Sequence, residues 1–207
     1  MMFTSRIVWI VSLSVFVLAN FATATQAQIK RPGAHPRYTL ELEPHLFVQW
    51  GDEPYYSDEG LGVGIRASIP LVDNGPITSI NNSMAIGFGF DWAHFGDGCY
   101  LPAAFRGQTL VAGYDCSAND FWLPVVWQWN FFFSDLISAF FEPGLAIEHT
   151  RYDGSGICVA GVACADYNDT DLEFVIWIGM RFHFGDAIGL TPRIGHPALT
   201  LGPSFFL

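Results

Sequence analysis

The chain has 207 residues, is half hydrophobic and carries a formal net charge of −11. Such acidity argues against a nucleic-acid partner, whose phosphates call for basic patches. No segment has the A/E/K/L/R composition of a long helix, and Phe and Gly are abundant, so an all-β chain is expected.

The amino terminus reads MMFTSRIVWIVSLSVFVLANFATATQAQ. Arg6 precedes an apolar run over 7–22, and small residues follow at Ala22, Ala24 and Ala27. This is the pattern of a cleaved secretory signal over 1–27. Without Arg6 the chain carries eight basic groups against 20 acidic ones. No later stretch has the apolar length of a membrane helix. Residues 28–36 (QIKRPGAHP) are polar, basic and broken by proline, and read as a short mobile periplasmic lead-in. The rest, 37–207, reads as one domain.

From Tyr38 the chain alternates with period two, the repeat of a strand with two different environments. Over 38–50, Leu40, Leu42, Pro44, Leu46, Val48 and Trp50 share one face and Glu41, Glu43, His45 and Gln49 the other. An acidic loop, 51–60, follows. Residues 61–71 put Leu61, Val63, Ile65 and Ile69 opposite Gly62, Gly64, Arg66 and Ser68. After a turn-rich connection, 83–94 sets Met84, Ile86, Phe88, Phe90 and Trp92 against Gly87, Gly89 and Asp91. A long loop over 95–120 precedes the clearest pair of strands, 121–131 and 137–149, joined at Ser134-Asp135 by turn chemistry. Their bulky face carries Leu123, Val125, Trp127, Trp129, Leu145 and Ile147. The other carries Gln128, Asn130, Ser138 and Glu142. A second long loop, 150–171, precedes 172–184, with Arg181 and His183 facing away from Phe174, Ile176, Ile178 and Phe182. Gly185-Asp186 turns the chain into 187–194, which holds Arg193. Gly195-His196-Pro197 leads into the last strand, 199–207.

The bulky aromatic face and the polar second face invert the pattern of a soluble sheet. They fit a barrel whose outside meets lipid and whose inside is polar. Eight strands of spanning length make an eight-stranded antiparallel up-and-down transmembrane β-barrel. The first, third and fifth connections are long or acidic, while the fourth and sixth are tight. That parity sets long loops outside and short turns in the periplasm. Trp50, Trp92 and Phe121 form one aromatic girdle, and Trp129, Phe131, Phe182, Phe184 and Phe205 the other.

The sequence resembles the small eight-stranded bacterial outer-membrane β-barrels, the broad class of the outer membrane protein A transmembrane domain and outer membrane protein W. The runs Gln128-Trp129-Asn130-Phe131-Phe132 and Pro203-Ser204-Phe205-Phe206-Leu207 carry the resemblance. It implies residence in the bacterial outer membrane, contact with outer-membrane lipid and lipopolysaccharide, and a terminal strand read by the barrel-assembly machinery. Family members end in an aromatic residue. This chain ends in Leu207, with Phe205 and Phe206 just before it.

Glu41, Glu43, Arg66, Asp91, Glu142, Arg181 and Arg193 all fall on the interior face. Charges inside a narrow barrel must pair, so these seven are expected to form a salt-bridged cluster, with Arg66 or Arg193 as the partner of Glu142. Cys99, Cys116, Cys158 and Cys164 are even in number, in an exported chain, and imply disulfides. Three connectivities are open. Cys99 with Cys116 and Cys158 with Cys164 are favoured, since each pair lies within one loop. No CxxC or nearby histidine pair points to zinc. The spacing of Asp166, Asp169 and Asp171 lacks the pattern of a calcium loop. His149, Thr150 and Glu148 do not make a nucleophile, base and acid on one face, so no enzyme, metal or cofactor is expected. The expected role is structural or interactive, through the outer loops and an unidentified surface ligand. A narrow, porin-like channel for small solutes is the alternative, and a lipid A-modifying enzyme the third reading.

Overall fold

The structure is a computed structural model that describes residues 28–50, 59–96, 116–154, 157–158, 162–163 and 167–207. Among these, no helix is long and apolar enough to cross a membrane. Eight strands close into one antiparallel barrel: β1 (Glu41–Gln49), β2 (Gly60–Val72), β3 (Asn82–Phe95), β4 (Cys116–Phe132), β5 (Ile137–Gly154), β8 (Tyr167–His183), β9 (Ile188–His196) and β10 (Ala198–Phe206). Each pairs with its neighbour along the chain, and β1 closes on β10. The short strands β6 (Ile157–Cys158) and β7 (Val162–Ala163) form a separate hairpin between β5 and β8.

Alternation decides which side chains face the lumen. Glu41, Glu43, His45, Phe47 and Gln49 of β1 are buried, while Leu46 between them is 61% exposed. The same inversion runs round the ring. Leu61, Leu123, Leu145, Phe174, Ile178 and Leu201 lie on the outside, while Arg66, Asp91, Gln128, Glu142, Arg181 and Arg193 lie inside. A water-soluble surface does not carry so continuous an apolar belt. A hydrocarbon layer covers it at no cost in exposed apolar area.

The strands differ in length, and the difference falls at one end. β1, β9 and β10 have nine residues each, whereas β4, β5 and β8 have 17 or 18. About 9–11 residues suffice to cross a bilayer. The β4–β5 and β8–β9 connections are tight turns, and Gly185 takes the left-handed φ of +100° that the second requires. The surplus of β4, β5 and β8 therefore projects from the opposite end, here the loop end, as a three-stranded wall. The long loops expected at 95–120 and 150–171 are in part strand, because β4 starts at Cys116 and β8 at Tyr167. Their turn-rich composition hid ladder pairs that only the partner strand supplies, such as Asn119 with Arg151 and Tyr152 with Tyr167.

The lead-in is docked rather than mobile, which departs from the sequence expectation. The backbone N–H of Asn81 donates to the Ile29 carbonyl at 2.7 Å, and the Asn81 amide donates to the Ala34 carbonyl at 3.0 Å. The His35 ring stacks on Phe132 at 4.4 Å with 8° between planes. These partners lie far along the chain, so a polar, proline-broken segment shows no sign of them in sequence.

A lipid-facing belt makes a quantitative prediction. Val125 is 47% exposed near mid-strand, in register with Phe88 and Leu145. On a soluble surface Val125→Arg costs within about 0.5 kcal/mol. Facing hydrocarbon it costs about 2–4 kcal/mol. Reversible urea unfolding in lipid vesicles, followed by tryptophan fluorescence, distinguishes the two.

Candidate functional site

The lumen is filled by a column of paired charges. Nearest the turn end, Arg181 of β8 makes a bidentate bridge to Glu41 of β1, Nε to Oε1 at 2.6 Å and Nη2 to Oε2 at 2.8 Å. Its Nη1 donates to Asn130 at 2.8 Å. One level up, Arg193 of β9 grips Glu43 of β1 with Nη1 and Nη2 at 2.6 and 2.9 Å. Arg193 Nε donates to Glu142 of β5 at 2.8 Å, and Gln128 donates to the other Glu142 oxygen at 2.6 Å. Bidentate geometry lets a planar guanidinium satisfy both carboxylate oxygens at once, which offsets much of the desolvation cost of burial. Both guanidiniums lie against the Phe140 ring, at 4.2 and 5.0 Å from its centroid. Gly179 makes room for that ring, since a Cβ there would sit 2.1 Å from Phe140.

Above this level Arg66 of β2 donates to Asp91 of β3 at 3.1 Å and lies 3.8 Å from Glu142. Its guanidinium stacks over Trp177 at 4.7 Å. Among the described residues Arg66 Nε and Nη1 and Trp177 Nε1 have no hydrogen-bond partner, so Arg66 is held less completely than Arg193. His45 Nε2 meets Asp91 Oδ1 at 2.7 Å, and His45 Nδ1 meets the Glu43 carbonyl at 3.0 Å. Both ring nitrogens lie within hydrogen-bond distance of oxygen atoms. At the loop end Gln49 donates to Asp120 at 2.7 Å, and Trp122 donates to Gln49 at 3.2 Å.

All seven charged residues singled out in the sequence thus lie in one buried column, each at most 1% exposed. Glu142 meets both arginines proposed for it rather than one of the two. His45 and Gln128 belong to the same network, and Gln49 and Asp120 pair at the loop end, although no charge-pairing argument singled them out. Their inward parity was the signal for His45, Gln49 and Gln128. Asp120 stood at the edge of an expected loop. Among the four cysteines, Cys99 and Cys164 lie outside the described residues, as do the side chains of Cys116 and Cys158, so the expected bridges do too.

The column also closes the ring. The β1–β10 ladder pairs Leu42 with Phe205 and Leu46 with Leu201 but is interrupted between them, where Pro44 stands opposite Pro203. Neither proline has an N–H to give. At this level Arg193 reaches past β10 to Glu43, so a side-chain bridge spans the seam where backbone bonds are missing. Arg181 and Glu41 add a second bridge one level lower, where the backbone ladder pairs Glu41 with Phe206.

Unequal satisfaction predicts unequal costs. Arg193→Met strands Glu43 and weakens Glu142, at about 3–5 kcal/mol. Arg66→Met costs less, because Asp91 keeps His45. Adding Glu43→Gln to Arg193→Met recovers part of the loss, since it removes the orphaned charge. Urea unfolding of the three variants in vesicles checks the order.

No protein-family model matches the chain, and no curated protein is detectably similar to it in sequence. Solved structures do match its shape. Ail, the attachment invasion locus protein of Yersinia pestis, in complex with the heparin analogue sucrose octasulfate, aligns with a TM-score of 0.51 at 7% identity over 84% of this chain and 99% of Ail. Neisserial surface protein A aligns with a TM-score of 0.44 at 9% identity, over 81% of this chain and 96% of that one. Ail is a small eight-stranded outer-membrane barrel. At such identities the likeness speaks to fold alone, and it agrees with the strand count, closure and inverted faces described above: this chain has the fold of the small eight-stranded outer-membrane β-barrels.

Proposed function

We propose that this protein is an outer-membrane surface protein, exported by a signal cleaved from residues 1–27, whose barrel is a closed anchor and whose projecting wall is a contact surface. The turn end, with lead-in 28–36 and the carboxyl terminus, faces the periplasm, and the loop end faces outward. The observation that carries the reading is the surplus length of β4, β5 and β8, which raises folded sheet beyond the span at one end only. The charge column opposes a conducting path, because its guanidiniums and carboxylates occupy the lumen at three successive levels. The reading assigns no enzyme activity. Cys99 with Cys116 and Cys158 with Cys164 pin the outer loops, and the barrel-assembly machinery receives the terminal strand ending in Phe206 and Leu207.

Ail was solved with a sulfated ligand analogue. Here the inward face of the wall carries Asp120, Glu148, Asp169, Asp171 and Glu173, placed in register across β4, β5 and β8. Like charges repel a sulfated glycan, so the surface partner of this chain carries cationic groups.

Calorimetry on the purified chain in zwitterionic nanodiscs tests this. An oligo-lysine decamer binds at low salt, loses affinity as salt rises, and binds less tightly to Glu148→Gln/Asp171→Asn. Sucrose octasulfate gives no heat. Binding of the octasulfate, or none of the decamer, overturns the assigned partner class. In planar bilayers the same preparation gives no discrete conductance steps, and regular steps would overturn the closed-anchor reading. Peptide mapping without reduction recovers Cys99 linked to Cys116 and Cys158 linked to Cys164. Any other pairing removes the loop-pinning assignment.

A further inference from the structure

The projecting wall has an open edge. β8 pairs with β5 without a break from Tyr167 to Phe182, but with β9 only from Ile176 onward, because β9 ends at His196. Strand geometry says which groups this leaves. The His183 N–H bonds on the β5 side, to the Leu136 carbonyl at 2.8 Å, and the Phe184 N–H bonds on the β9 side, to the Ile188 carbonyl at 2.8 Å. Backbone direction alternates residue by residue, and the unbroken β5–β8 register carries that alternation to the loop end. The N–H and C=O groups of Asn168, Thr170, Leu172 and Phe174 therefore point away from β5. Among the described residues no strand meets them.

Sheet edges are ordinarily guarded by prolines, lysines, bulges or covering loops. Here Asp169 guards one position, since its Oδ1 accepts from the Thr170 N–H at 2.9 Å. Leu172 and Phe174 carry no such guard, and their side chains are 67% and 57% exposed. Unpaired backbone groups are not tolerated against hydrocarbon. The end of β9 agrees with a position above it: Trp50, of the outer aromatic girdle, donates to the Gly195 carbonyl at 3.0 Å. The open edge begins where β9 stops, within reach of a partner in water.

The two faces of the edge set its complement. Asp169, Asp171 and Glu173 lie on the inward face, and Leu172 and Phe174 on the outward one. A strand added here continues the same alternation. Its side chains beside the acids are matched by Lys or Arg, and those beside Leu172 and Phe174 by apolar residues. A second copy of the edge fits badly. Antiparallel pairing about Leu172 sets the acids at 171 and 173 against one another, like charge opposite like.

We propose that the Leu172–Phe174 edge of β8 binds, by strand addition, an extended peptide segment in which cationic and apolar residues alternate. The proposal rests on the cationic-partner reading and adds to it the docking edge, the backbone bonds and the period of the partner.

The test uses the full chain in phosphatidylcholine nanodiscs, with calorimetry and amide hydrogen exchange as readouts. The probes are the peptide Lys-Val-Lys-Val-Lys-Val-Lys-Val-Lys, the same peptide N-methylated at every valine, and a block isomer with all its lysines before its valines. N-methylation keeps the charge and removes the donors that face the edge. The alternating peptide binds roughly tenfold more tightly than either control, because only it completes the added ladder. It slows exchange at the Leu172 and Phe174 amides and leaves Asp171 and Glu173, whose N–H groups face β5, unchanged. Leu172→Pro removes a donor on the open side without touching the β5 ladder, and it levels the three affinities. Heat-modifiable migration shows that this variant is folded, and the N-methylated arm needs no variant at all. Equal binding of the alternating and N-methylated peptides overturns strand addition, as does a preference unchanged by Leu172→Pro. Salt-dependent binding of all three peptides alike leaves the cationic-partner reading standing without the edge. Binding of none of them overturns both.

Discussion

Everything in this molecule depends on burying charge inside a ring too narrow to hydrate it. Eight strands enclose a lumen that side chains must fill. Here the filling includes four carboxylates and three guanidiniums. Isolated, each would cost several kcal/mol in desolvation. They persist because two of the arginines are bidentate, because Gln128 and His45 lie on carboxylate oxygens and Asn130 accepts from Arg181, and because the Phe140 ring lies against both of those guanidiniums. Packing, hydrogen bonding and electrostatics act there on the same few atoms, so a change to any one of them is felt by the others.

The same bridges solve a topological problem. A barrel has one seam that joins the first strand to the last, and this one carries facing prolines at its middle. Backbone bonding cannot hold the chain there. Arg193 of β9 grips Glu43 beside that gap and Arg181 of β8 grips Glu41 just below it, so bridges through the lumen reinforce the backbone ladder on either side. A protein whose interior staples its seam is suited to anchoring something at the surface and poorly suited to opening a path through its centre. The part of the fold that rises beyond this filled ring is the projecting wall of β4, β5 and β8.

Much of this was legible from the chain alone. Period-two alternation identified the lumen-facing residues strand by strand, because a strand has only two faces and a one-residue slip would put Arg66 or Glu142 into lipid. What escaped was local in each case. The lead-in over 28–36 looked mobile because its partners, Asn81 and Phe132, are distant in sequence. Asp120 and the segment after Thr150 looked like loop because Gly, Asn and Asp dominate there, and strand propensity yields to a partner ladder. His45 was not counted in the cluster, since only the closed barrel places it against Asp91.

The sequence by itself determined the fold class, the inside and outside of the barrel, and the membership of the interior charge set. All of these follow from the two-residue period of the strand and from the high cost of an unpaired charge. Only the tertiary structure decided which arginine meets which carboxylate, that the bridges cross the proline-broken seam, and that β4, β5 and β8 stand taller than the rest. Those depend on register between strands and on closure of the ring, where residues as far apart as Glu43 and Arg193 come within 2.6 Å. No spacing along the chain encodes that distance. It is a property of the closed barrel, fixed by the sum of its eight ladders.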